Sequence, residues 1–114
     1  MRRAPALALA AAATAALAVS AAAATTRSVK VGDNYFVKDG GSPTVTVKQN
    51  TRVRWNWTGD SLHNVTVKTG PVRFHSRSQT SGSYTKTLTR RGSYKIYCTI
   101  HGIGDQSMTL RVVR

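Results

Sequence analysis

Arg52-Val53-Arg54-Trp55-Asn56-Trp57 alternates polar and apolar side chains without a break. Successive side chains of a strand point to opposite faces, so Val53, Trp55 and Trp57 share one face and Arg52, Arg54 and Asn56 the other. Two tryptophans on one strand face predict the inward side of a packed sandwich. Upstream, Thr44-Val45-Thr46-Val47-Lys48 repeats the alternation, bounded by the turn residues Asp39-Gly40-Gly41-Ser42-Pro43 and Gln49-Asn50. Val29-Lys30-Val31 leads into Asp33-Asn34-Tyr35-Phe36 as the first stretch of extended chain. Downstream, Thr58-Gly59-Asp60-Ser61 turns the chain into His63-Asn64-Val65-Thr66-Val67-Lys68. Residues 69–83, rich in Ser, Gly and Arg, predict loops or an edge. Tyr84-Thr85-Lys86-Thr87-Leu88, Tyr94-Lys95-Ile96-Tyr97-Cys98 and Met108-Thr109-Leu110-Arg111-Val112 complete the strands. No stretch keeps a 3.6-residue period over three turns. The reading is all-β: a Greek-key β-sandwich of about seven short strands.

The chain of 114 residues allows one small domain. Its start reads as an address. Met1-Arg2-Arg3 is a positive n-region, residues 4–19 are apolar apart from Pro5 and Thr14, and Ser20-Ala21-Ala22-Ala23-Ala24 offers small residues at A-x-A spacing. A membrane anchor would need about 20 strongly apolar residues, and alanine contributes little. Residues 1–24 are therefore expected to be a cleaved signal peptide and residues 25–114 the folded domain, exported without an integral membrane segment. The Arg pair lacks the neighbours that twin-arginine signals favour, so the general export route is expected. Loss of Arg2 and Arg3 leaves 15 basic residues against four Asp and no Glu, a net charge of +11. The alanine- and arginine-rich start suggests a bacterium with GC-rich DNA, and hence a periplasmic, envelope-associated or secreted location.

Export makes the lone Cys98 informative, because an exposed free thiol would be oxidised outside the cytoplasm. Cys98 must be buried and inert or held by a metal. His101 follows it by three residues and His63 lies upstream. A thiolate with two imidazoles suits copper in a trigonal plane with a weak axial ligand. Zinc would want four tetrahedral ligands, and Asp105 is the only carboxylate near the cysteine in sequence. A Cys/His nucleophile would need an orienting acid, for which only Asp60 and Asp105 offer themselves, and no oxyanion device is visible. The chain is read as a protein without catalytic residues.

His63-Asn64-Val65, followed some 35 residues later by Gly92-Ser93-Tyr94-x-x-Tyr97-Cys98-x-x-His101, resembles the blue copper proteins, the cupredoxins of the plastocyanin type. The resemblance extends from Val29 to Val112. It implies one type 1 copper ion, Cu(I)/Cu(II), with His63, Cys98 and His101 as equatorial ligands. It also implies that Asn64 ties the two ligand loops together beside the thiolate. The axial position departs from the family pattern. Methionine commonly stands five residues after the second His, and here that residue is Gln106, with Met108 two further on. Met108 shares a strand face with Leu110 and Val112, whereas Gln106 falls where the loop joins the strand; both remain open. A Gln106 oxygen would give a lower potential than methionine sulfur.

The family implies carriage of single electrons between transient redox protein partners. The ring edge of His101 would meet them in an apolar rim of Leu62, Gly102 and Ile103. Excess positive charge would steer the protein, as a monomer, toward partners with acidic surfaces. The alternative is a copper module for storage, delivery or sensing with the same ligands. Nucleic acid is not an expected partner, because the basic residues are scattered over many strands and the chain is exported. His75 in Arg73-Phe74-His75-Ser76-Arg77 is read as solvated, and Trp55, Trp57, Tyr94 and Tyr97 as core. Asn56-Trp57-Thr58 and Asn64-Val65-Thr66 fit the glycan acceptor pattern by coincidence.

Overall fold

The computed structural model describes residues 25–114, and the signal-peptide expectation for residues 1–24 lies outside them. Eight strands run in order: β1 (Thr26–Gly32), β2 (Tyr35–Phe36), β3 (Thr44–Lys48), β4 (Thr51–Trp57), β5 (Thr66–Thr69), β6 (Ser83–Leu88), β7 (Gly92–Tyr97) and β8 (Ser107–Val113). They form two four-stranded sheets, β2-β1-β4-β6 and β3-β8-β7-β5. β1 lies parallel to β4 and β3 parallel to β8, and the other pairs are antiparallel. This is a β-sandwich with Greek-key crossovers, as the alternation predicts. Among the described residues no helix is long and apolar enough to cross a membrane.

β4 buries the face that its sequence marks: Val53 and Trp55 are fully enclosed and Trp57 nearly so, while Arg52 and Arg54 face solvent. In register, Trp55 stands beside Val29 on one side and Tyr84 on the other. The second sheet answers with Val45, Val47, Tyr94, Ile96, Met108, Leu110 and Val112. Each such aliphatic side chain contributes roughly 1.5–3 kcal/mol by leaving water. Trp55, Phe74, Tyr84 and Tyr94 form an aromatic cluster with ring centroids 5.9–6.3 Å apart.

Two differences from the sequence reading matter for the site. Asp33-Asn34 is a turn between β1 and β2 rather than strand, with Asn34 in the left-handed region at φ 68°. His63 does not open a strand. It makes an isolated bridge with Gln79 through two backbone hydrogen bonds of 3.0 Å, and β5 starts only at Thr66. At one end of the sandwich lie the β1–β2 turn, the β4–β5 connection and the β7–β8 loop. At the other, Gln49 N–H donates to the Val113 carbonyl (2.6 Å) and Asn50 N–H to that of Leu88 (2.7 Å), closing the base. The Tyr94 hydroxyl donates there to the Arg90 carbonyl (2.7 Å).

Candidate metal centre

Cys98 follows the last residue of β7, fully buried. Its N–H donates to the Gln106 carbonyl (3.1 Å), which closes residues 98–106 into a loop. Inside it, Gly102 N–H donates to the Cys98 carbonyl (2.9 Å) and Gln106 N–H to that of Gly102 (3.0 Å). The chain can wind this tightly because Gly102 takes φ 89°, where a side chain would be strained. The winding turns His101 back toward the thiol, with Nδ1 3.5 Å from Sγ.

His63 arrives from the β4–β5 connection, and its Nδ1 lies 3.3 Å from His101 Nδ1. One donor atom from each of His63, Cys98 and His101 lies within 4.8 Å of the others. Gln106 adds a fourth atom: Oε1 is 3.1 Å from His101 Nδ1. The Gln106 amide is oriented without ambiguity, since its Nε2 donates to the carbonyls of Gly32 and Tyr35, both at 3.1 Å. Met108 is fully buried opposite Ile96 in the β7–β8 ladder, on the core face with Leu110 and Val112.

Asn64 joins the loops. Its Nδ2 donates to the hydroxyls of Thr99 (2.8 Å) and Ser78 (3.1 Å), and its Oδ1 accepts from Thr99 N–H (3.1 Å) and the Thr66 hydroxyl (2.8 Å). A buried amide with all these groups satisfied locks the residue after Cys98 to the residue after His63.

The other ring nitrogen of His63 meets Asp33, with Nε2 2.8 Å from Oδ1. Asp33 also accepts from the N–H of Asp60 (3.0 and 3.1 Å) and Ser61 (2.9 Å). These bonds, that from His63 first, hold its carboxyl well below the usual carboxylate range. The acid beside the site is therefore Asp33, not Asp60 or Asp105. Only the scarcity of carboxylates, four in the chain, could have drawn attention to it. Its approach to His63 depends on β1 pairing with β4, which no local pattern reports.

His63, Cys98 and Gln106 are sealed from solvent, whereas His101 is half-buried. Among the described residues Leu62, Ile103 and Ile100 are the exposed large aliphatic side chains, the last not singled out by its sequence. His75 is exposed, with Nδ1 3.0 Å from the Ser76 carbonyl, away from the site.

Four atoms with lone pairs thus face one another, three of them on buried side chains. A thiolate, two imidazole nitrogens and an amide oxygen fit a soft-to-borderline ion such as copper better than Mg²⁺ or Ca²⁺, which require oxygen shells.

No protein-family model and no curated protein matches the sequence. Solved structures do match the fold. A Met-to-Gln variant of amicyanin with Cu(I) superposes with a TM-score of 0.63 at 22% identity, over 76% of this chain and 81% of that one. A reduced Trp-to-Tyr amicyanin variant gives 0.64 at 20% identity, over 80% and 85%. The chain has the cupredoxin fold. A copper-containing nitrite reductase from Thermus scotoductus is similar over 87% of this chain, with a TM-score of 0.65 and 19% identity. This chain spans 25% of that protein, so the cupredoxin fold also occurs within an enzyme. The cupredoxin end that carries His63, Cys98 and His101 is where any copper chemistry of this chain must be sought.

Proposed function

We propose that the protein is an exported small blue copper protein that carries single electrons between redox partners. The observation that carries this reading is the convergence of His63 Nδ1, Cys98 Sγ, His101 Nδ1 and Gln106 Oε1 at one end of a rigid sandwich. His63, Cys98 and His101 would hold the ion, with Gln106 Oε1 as a weaker fourth donor and Met108 left to the core. Bound copper supplies one-electron chemistry by cycling between Cu(I) and Cu(II).

The chain's part is to keep the donors still while that happens. Asn64 and the closed 98–106 loop prevent either ligand segment from drifting, so little rearrangement accompanies a change of charge. Burial of three donors excludes water. His101 alone reaches the surface, and Leu62, Gly102 and Ile103, with Ile100 beside them, supply an apolar rim for a small, transient contact. The basic surface favours anionic partners and an association rate that falls with salt. Residues 1–24 act as the cleaved export signal, which predicts a mature chain in the bacterial periplasm or medium beginning close to Thr25, as N-terminal sequencing would read.

Titration with Cu(II), then ascorbate, tests the site. An intense blue band that bleaches on reduction and returns on oxidation is the expected result. A colourless protein removes Cys98 from the ligand set and ends the copper reading. A blue protein that surrenders its copper to a competing chelator and fails to cycle is a storage or delivery module instead.

A further inference from the structure

Two of the four converging donors are held from behind by one four-residue turn. Gly32 and Tyr35 present their carbonyls to Gln106 Nε2, and Asp33 presents its carboxylate to His63 Nε2. Gln106 is 74 residues from Gly32, and His63 is 30 from Asp33. Neither contact is set by the ligand loops themselves. The turn is tight because Asn34 is left-handed, which lets both carbonyls and the carboxylate face the site.

An imidazole has one proton to place on two nitrogens. Asp33 already accepts two backbone N–H groups, and a carboxylate is an acceptor only. The His63 proton must then sit on Nε2, leaving the Nδ1 lone pair facing Cys98 and His101. The carboxylate has also been given its place. A Cβ on Gly59 would collide with the Asp33 carboxyl group, so the glycine keeps that space open. The N–H groups of Asp60 and Ser61 then draw the chain leading to His63 over the turn.

We propose that Asp33 is a positioning residue for the metal site, fixing the His63 tautomer and placing a negative charge behind its ring that favours the more highly charged state of a bound ion. This deepens the copper reading and rests on it for the second half only; the tautomer belongs to the protein without metal. Carboxylate partners of this kind orient ligand histidines and raise their basicity.

The test compares Asp33→Asn and Asp33→Ala with the unaltered protein. Asparagine keeps the shape and can still accept the backbone N–H groups, but carries no charge. In the metal-free protein, long-range proton–nitrogen NMR correlations of His63 are expected to show a single Nε2–H form. Asp33→Ala should release it into a mixture and weaken Cu(II) binding roughly tenfold in a chelator competition. With copper, both variants should have a higher reduction potential than the parent. A pure Nε2–H form in Asp33→Ala, or a parental potential in Asp33→Asn, would overturn the proposal and reduce Asp33 to a tie between loops. Should Asp33→Ala fail to fold, Gly59→Ala displaces the same carboxylate and is expected to shift the tautomer the same way. A protein with a fixed tautomer but no blue band would defeat the copper reading while leaving the positioning of His63 intact.

Discussion

The two ends of the sandwich solve opposite problems. At the base, backbone groups of the β3–β4 and β6–β7 turns find partners within a few residues of a strand end, and the Tyr94 hydroxyl is satisfied by the Arg90 carbonyl. Exposed Lys48, Arg52, Arg90 and Arg91 surround it without a carboxylate among them. At the other end, four lone-pair atoms face one another, three of them on buried side chains. The chain spends its carboxylates there: Asp33, Asp60 and Asp105 lie in the site's turn and loops, and Asp39 lines a cleft with Ile103 and Asp105. Among the described residues the only carboxylate within 4 Å of a basic side-chain nitrogen is Asp33, against His63 Nε2. One end satisfies its polar groups locally, and the other gathers donor atoms from remote segments, the kind of departure from local consistency expected of a candidate site.

If the division is real, changes at one end should leave the other unmoved. Cys98→Ser is expected to abolish the blue band entirely while thermal unfolding of the metal-free protein stays close to the parent's; retention of the band would remove the thiolate from the site. Trp55→Ala should do the reverse. It removes the largest fully buried ring of the aromatic cluster at about 3–5 kcal/mol of stability, measured by denaturant unfolding, with the visible spectrum unchanged as long as the protein stays folded. Gln106→Met should raise the reduction potential, since thioether sulfur favours Cu(I) more than amide oxygen does. Met108→Leu, a volume-conserving change, should cost under about 1.5 kcal/mol and leave the potential alone; a shift in the second variant and none in the first would exchange the two residues' roles.

Tyr94→Phe gives the smallest effect. It removes one hydrogen bond at the base, worth about 0.5–1.5 kcal/mol, and no spectral change should accompany it. Burial of Tyr94 pushes its hydroxyl pKa up, and that of Tyr84 likewise. A raised folded value means that the neutral form is favoured in the fold. This stability is fully present below about pH 10, the unfolded value, and is lost as pH rises through the folded one. The parent should therefore lose stability in alkali more steeply than Tyr94→Phe, as unfolding at pH 9 and pH 11 would show.

Much of this was legible in the order of residues. Alternation in β3, β4, β6 and β8 reported their inward faces because a strand's period of two writes burial directly into sequence. The set of His63, Cys98 and His101 was legible through residue type, since a lone thiol with two imidazoles nearby in the pattern suits a soft metal ion. The choice between Gln106 and Met108 was not. Spacing pointed to Gln106 and strand register left Met108 open; the aim of the Gln106 oxygen depends on where its amide hydrogens go, to Gly32 and Tyr35 on a distant turn. His63 also misled in one respect: the strand expected to start there begins three residues later, because the chain bridges to Gln79 before joining β7.

Residue chemistry and period alone determine that this chain is a β-sandwich with a soft-donor set. Both are properties of neighbours along the chain. Asp33 behind His63, Asn64 across to Thr99 and the aim of the Gln106 oxygen were decided only when parallel pairing of β1 with β4 and the closing of the 98–106 loop brought remote segments together. Hydrogen bonds act over about 3 Å, and no sequence interval specifies which remote groups will come that close.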